Sequence, residues 1–66
     1  MTILNGKKAV GEIIVFRSEK YPEEPYGVGR ITEVYEDGKF RLSVIERTSM
    51  QGAAYATARR LRKEVA

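Results

Sequence analysis

Asp37-Gly38 sits between two runs that alternate apolar and polar residues, and residues 30–45 read as one β-hairpin. A two-residue turn of this kind needs positive φ at both central positions, which Asp and Gly tolerate. Folding about it pairs Glu36 with Lys39, Tyr35 with Phe40, Val34 with Arg41, Glu33 with Leu42, Thr32 with Ser43 and Ile31 with Val44. One face then collects Ile31, Tyr35, Phe40, Leu42 and Val44. The other collects Arg30, Thr32, Glu36, Lys39, Arg41 and Ser43, with Val34 and Ile45 as exceptions. The aromatic pair and the opposite-charge pair beside the turn each add ~0.2–1 kcal/mol. A slip of one residue would destroy the sorting.

Asn5-Gly6 signals a second two-residue turn, pairing Leu4 with Lys7 and Ile3 with Lys8. After Gly11, residues 12–17 (EIIVFR) form a strand whose unbroken apolar run fits burial on both faces. Residues 18–26 (SEKYPEEPY) are an acidic loop stiffened by two prolines. Gly27-Val28-Gly29 marks a bulge or a close approach where the next strand begins.

Residues 51–64 (QGAAYATARRLRKE) are rich in helix formers. Ala54, Ala58, Leu61 and Val65 fall on one helical stripe, and Ser49 is the candidate cap. The favoured reading is a basic helical segment over 53–64. The rival reading is a last strand over 54–57 and a helical turn after it. The elements suggest a mainly β fold, a small barrel of short antiparallel strands with a short C-terminal helix, since closure removes exposed sheet edges.

The chain has 66 residues, one small domain over 1–66, and neither cysteine nor histidine. Disulfides are thereby excluded, along with the commonest metal ligands and the usual neutral-pH proton shuttle. The first residues do not read as a secretory signal, and the longest apolar stretch, residues 13–16, is far too short to cross a bilayer. A soluble, cytoplasmic protein is expected, with no membrane association and no cofactor. So small a core also makes a homodimer plausible.

The +3 net charge has one origin. Basic and acidic residues balance from Met1 to Ala58, and Arg59, Arg60, Arg62 and Lys63 against Glu64 supply the entire excess.

The segments VGEIIVF and PYGVGRITEVYEDGKFRLSV give residues 10–47 a resemblance to the small SH3-like β-barrels of the Tudor, KOW and BAH type. The matching features are a V-G-[DE] opening strand, a proline-bearing loop, and a GxGRIxxV strand leading through a D-G turn into a third strand. The resemblance implies a binding role: nucleic acid for KOW-type members, methylated or proline-rich peptides for others. This chain has no tryptophan and no full aromatic cage, and a BAH pattern would run well past residue 66.

Two binding surfaces compete. In the first, Arg59, Arg60, Arg62 and Lys63 contact phosphates of DNA or RNA, with affinity coming mainly from counterion release. On a helix Arg59, Arg60 and Lys63 face solvent opposite Leu61 and Val65. Arg62 lies beside Tyr55, which could stack on a base or on that guanidinium. Arg30, Lys39 and Arg41 share a sheet face with Thr32 and Ser43 and extend the basic surface, as do Lys7 and Lys8. The plainer account is that last-turn cations are favoured by the helix dipole, at ~0.3–1 kcal/mol each, and solubilise the module.

In the second, Tyr21, Glu23, Glu24 and Tyr26 hold a basic or proline-containing peptide, or build a cation site with Phe16. The helix's apolar stripe is a further docking candidate. The plainer account is a stiff, soluble connection. An acidic loop repels nucleic acid, so a nucleic-acid surface should lie away from it.

No residues arrange a nucleophile, a base and an orienting group, so an enzyme is not expected. Gly27-Val28-Gly29 lacks the third glycine of a phosphate loop. Glu33, on the apolar face in the expected register, is read as a rim carboxylate paired with a base. The acidic pairs lack calcium-loop spacing, and no metal site is expected. The expectation is a small accessory or regulatory nucleic-acid-binding protein; the alternative is a protein-interaction module, a subunit or inhibitor of a larger complex.

Overall fold

The computed structural model describes residues 1–65, the side chain of Val65 excepted. Four strands, β1 (Thr2–Asn5), β2 (Ile13–Arg17), β3 (Tyr26–Val34) and β4 (Phe40–Thr48), precede one helix, α1 (Gln51–Val65). The strands form an antiparallel sheet in the order β1-β2-β3-β4. The fold is mainly β, as expected, but the sheet is open: β1 and β4 are its two edges and make no contact with each other.

The unbroken apolar run of β2 has the meaning expected of it. Ile13 and Val15 join Val28, Ala54 and Ala58 in a core beneath the helix, while Ile14 and Phe16 join Ile31 in a second core on the opposite face. Leu4, Tyr26, Tyr55 and Leu61 pack against the first, and Ile3, Phe40 and Leu42 against the second. Burying a side chain such as Ile14 or Ile31 contributes about 1.5–3 kcal/mol, so β2 and β3 anchor the fold.

The Asn5-Gly6 hairpin does not form. Only glycines have positive φ among the described residues, so Asn5 cannot complete the turn. Instead β1 pairs with β2, Ile3 opposite Phe16 and Asn5 opposite Val15. That partner buries Ile3 and Leu4 in the two cores, which a hairpin with Lys7 and Lys8 would not do. Gly6, at φ 105°, lets the chain pass so close to β2 that a Cβ there would lie 2.7 Å from the Ile13 carbonyl oxygen.

The β3–β4 hairpin forms with a different turn. Gly38 N–H donates to the Tyr35 carbonyl (3.0 Å) and Tyr35 N–H to the Lys39 carbonyl (2.8 Å), so Glu36, Asp37 and Gly38 make a three-residue loop. Gly38 alone takes positive φ, 89°. Asp37 Oδ1 accepts from Lys39 N–H (3.0 Å), tying the side chain to the turn. The register moves by one, Val34 opposite Phe40 and Glu33 opposite Arg41, and a bulge at Thr32 then sets Ile31 opposite Leu42. The bulge preserves the most important part of the expected sorting: Ile31, Phe40 and Leu42 still share one core. Tyr35 and Val44, expected on that buried face, are 40% and 42% exposed.

Gly27 and Gly29 serve close approach, and a register shift falls between Val28 and Gly29. The Phe16 ring lies against Gly27, and a Cβ on Gly29 would come within 2.8 Å of Leu42.

The helical reading of the C-terminal segment holds, and no strand forms at 54–57. Ala54 and Ala58 are fully buried and Leu61 half-buried; Val65, the last residue of the expected stripe, has its side chain outside the described residues. Thr57 adds to the inward face, its hydroxyl donating to Glu46 Oε2 at 2.5 Å. At the helix start it is the Thr48 hydroxyl, not Ser49, that accepts a backbone N–H, that of Met50 at 3.1 Å.

Candidate nucleic-acid interface

The up-and-down strand order fixes which charges share an end of the molecule. The 6–12 connection with Lys7 and Lys8, the β3–β4 loop leading to Lys39 and Arg41, and the C-terminal turns of α1 lie at one end. The 18–25 loop with Glu19, Glu23 and Glu24 lies at the other. The basic helix end is thus separated from the acidic loop by the length of the sheet.

Tyr55, Arg59, Arg62 and Lys63 line one groove of about 320 Å³ along α1. Their spacing of four, three and one residues places them on one side of a helix with 3.6 residues per turn. Tyr55 is half-buried against the core below the helix, while Arg59, Arg62 and Lys63 are exposed. Arg62 Nη2 donates to the Ile13 carbonyl at 2.9 Å. Ile13 pairs with Arg30 without closing this carbonyl into the β2–β3 ladder, because the neighbouring Glu12 carbonyl takes the Ile31 N–H (3.0 Å). One guanidinium is therefore fixed by the fold. Among the described residues the only ion pair is Lys39–Asp37, at 4.0 Å, so neither Arg59, Arg60 nor Lys63 is neutralised by a carboxylate there.

The remaining basic residues divide. Arg60 is exposed but lies outside the groove, about 100° around the helix from Arg59. Arg30 stands one strand from the Arg62 anchor, opposite Ser43, and alternation along β4 keeps Arg41 on the side of Ser43. Thr32 leaves this expected face, forming the bulge, its hydroxyl donating to the Arg41 carbonyl at 3.3 Å, and Lys39, next to the turn, is ion-paired with Asp37. Lys8 is engaged, donating to the Gly38 carbonyl (3.0 Å) with its ammonium 5.5 Å from the Phe40 ring centre. Glu33 is exposed rather than on the apolar face, because of the bulge; it lies opposite Arg41 and accepts from the Tyr35 hydroxyl at 3.0 Å.

The rival surface is largely occupied. Arg47 stacks on Tyr21, guanidinium carbon 3.4 Å from the ring centre, filling the cation site that the loop offers. Tyr26 is the first residue of β3 and packs on the core, and Phe16 is 4% exposed, so neither joins an open aromatic cage. Glu23 and Glu24 remain exposed beside Tyr21 around a shallow hollow of about 270 Å³. The helix's apolar stripe is spent on the sheet.

Two features carried no sequence signal: the Arg62–Ile13 bond, spanning 49 positions, and the Arg47–Tyr21 stack. The expected Arg62–Tyr55 stack is absent among the described residues, leaving the exposed part of the Tyr55 ring uncovered by any cation. Among the described residues no group of three or more acidic, histidine or cysteine side chains could hold a metal ion, and no helix is long and apolar enough to cross a membrane. Comparison with models of protein families, with curated proteins and with solved structures finds no match.

Proposed function

We propose that this chain is a small, non-catalytic, cytoplasmic nucleic-acid-binding module with an accessory or regulatory role. The observation that carries the reading is the groove along α1, where Tyr55 is followed by Arg59, Arg62 and Lys63 toward the end of the sheet remote from the acidic loop. Closely spaced cations with no carboxylate partner among the described residues are what a phosphate backbone needs: they displace its counterions, and guanidinium groups add directed hydrogen bonds. Arg30 and Arg41 lie on the sheet where they can extend the contact. The non-catalytic part rests on residue types the chain lacks, histidine and cysteine, and on the want of a nucleophile beside a base. The likeness of residues 10–47 to KOW-type SH3-like domains is in keeping with it.

The test replaces Arg59, Arg60 and Lys63 by alanine together, leaving Arg62 to hold Ile13. Circular dichroism should show an unchanged fold, and binding to labelled DNA and RNA at low salt should fall at least tenfold. Parent-like affinity in a folded triple variant would refute the proposal.

A further inference from the structure

We infer that the preferred ligand is single-stranded, one base lying on Tyr55 while Arg59, Arg62 and Lys63 hold the phosphates beside it. This rests on the nucleic-acid reading above and narrows its substrate class. Aromatic rings beside a basic track are the usual means of holding unpaired bases, because every base has a π-face. Of the four tyrosines, Tyr26 packs on the core and Tyr35 is bonded through its hydroxyl to the Glu33 carboxylate, which would repel a phosphate, so Tyr21 and Tyr55 are the candidates for that role. Tyr21 is excluded, since Arg47 already covers its ring. Tyr55 lines the groove, is supported from below by the core, and carries no cation of its own among the described residues.

The arrangement around Tyr55 suits a strand more than a duplex. Arg59 and Lys63 are one turn apart, about 6 Å along the helix axis. They follow Tyr55 in one line along a shallow hollow on α1. A duplex keeps its bases stacked inside and offers this hollow only its backbone, so Tyr55 would gain nothing from it. The Arg62 guanidinium, already held by the Ile13 carbonyl, loses little further freedom when it meets a phosphate.

The test is fluorescence anisotropy with a labelled single-stranded oligonucleotide and the duplex of the same sequence, across a salt series. The parent should bind the single strand more tightly. Tyr55→Leu should weaken single-strand binding about tenfold, leave duplex binding unchanged and keep the salt dependence. Tyr55→Phe should bind like the parent. Because the chain has no tryptophan, Tyr55→Trp introduces a unique fluorophore, whose emission unlabelled single strands should quench and duplex should not. A parent that prefers duplex, a folded Tyr55→Leu with parent-like affinity, or a Tyr55→Trp variant unquenched at saturation would each overturn the inference while leaving the nucleic-acid reading standing. Absence of salt-dependent binding to either form would sink both.

Discussion

Arg62 and Lys63 both sit in the last turn of α1, yet they should behave differently when removed. Both interact with the helix dipole, and both lose that interaction as alanine. Only Arg62 also donates to the Ile13 carbonyl, joining the helix end to β2 across the core edge. A hydrogen bond from a charged group contributes about 1.5–3 kcal/mol when buried. Here the bond is only partly buried and water can replace the donor, so about 1 kcal/mol is the expected loss for Arg62→Ala relative to Lys63→Ala. In a domain of this size that lowers the melting temperature by about 4–8 °C. Thermal unfolding followed by circular dichroism measures it, with Arg59→Ala as a second control expected to stay within about 0.5 kcal/mol of the parent. Arg62→Lys keeps the charge but not the planar fork, so it should recover nucleic-acid binding more fully than stability. If Arg62→Ala and Lys63→Ala melt together, the Arg62 bond is not holding the helix to the sheet, and the account of a pre-positioned guanidinium fails with it.

Two further outcomes follow from the packing and the charges. Gly27→Ala would drive a methyl group into the Phe16 ring, which the second core confines; overpacking of this kind costs about 1–3 kcal/mol, so a lower urea midpoint is expected, relieved when Phe16→Leu is added, and an unchanged midpoint would refute the close contact. With three cations in the groove, a log–log plot of single-strand affinity against salt should slope at about −2, a loss of roughly twentyfold between about 50 and 200 mM; a slope near zero would mean that the groove does not meet phosphates.

What the sequence revealed, and what it hid, follows the range of the interactions concerned. The unbroken apolar run at Ile13–Phe16 was legible because a strand covered on both faces needs no alternation, and both cores were found where that implies. The Ala54–Ala58–Leu61 stripe identified the helix for the same reason: one periodicity, one buried face. Turn chemistry was less decisive. Asp37-Gly38 did mark the hairpin, but Asp37 kept negative φ and the loop took a third residue; the bulge at Thr32 then shifted the register by one more, and a shift of two returns each side chain to its expected face, because burial of Ile31, Phe40 and Leu42 outweighs a regular ladder. At Asn5-Gly6 burial overrode the local signal altogether, since Ile3 gains more opposite Phe16 than opposite Lys8. In the site, helical spacing read from the sequence put Arg62 beside Tyr55 but grouped Arg59 and Lys63 with Arg60, whereas the groove takes in Arg59 and Lys63 and leaves Arg60 out. The hold of Ile13 on Arg62 could not be read in advance, because no local pattern connects residues so far apart.

On the proposed reading, the position of the groove leaves all of the anion binding to side chains. A helix that receives phosphate on its backbone does so at its N-terminus, where free N–H groups and the positive end of the dipole point outward. The cations of this groove lie toward the C-terminal end of α1, where unpaired carbonyls and the negative end of the dipole would repel phosphate. The same dipole favours cations at this end, so the basic cluster costs the fold little even without a ligand. Any phosphate must then be held by guanidinium and ammonium groups that project away from the axis, beyond the carbonyls. Such a site has few backbone donors to impose geometry on a ligand, and its selectivity must come from the one rigid, uncharged surface within it, the ring of Tyr55.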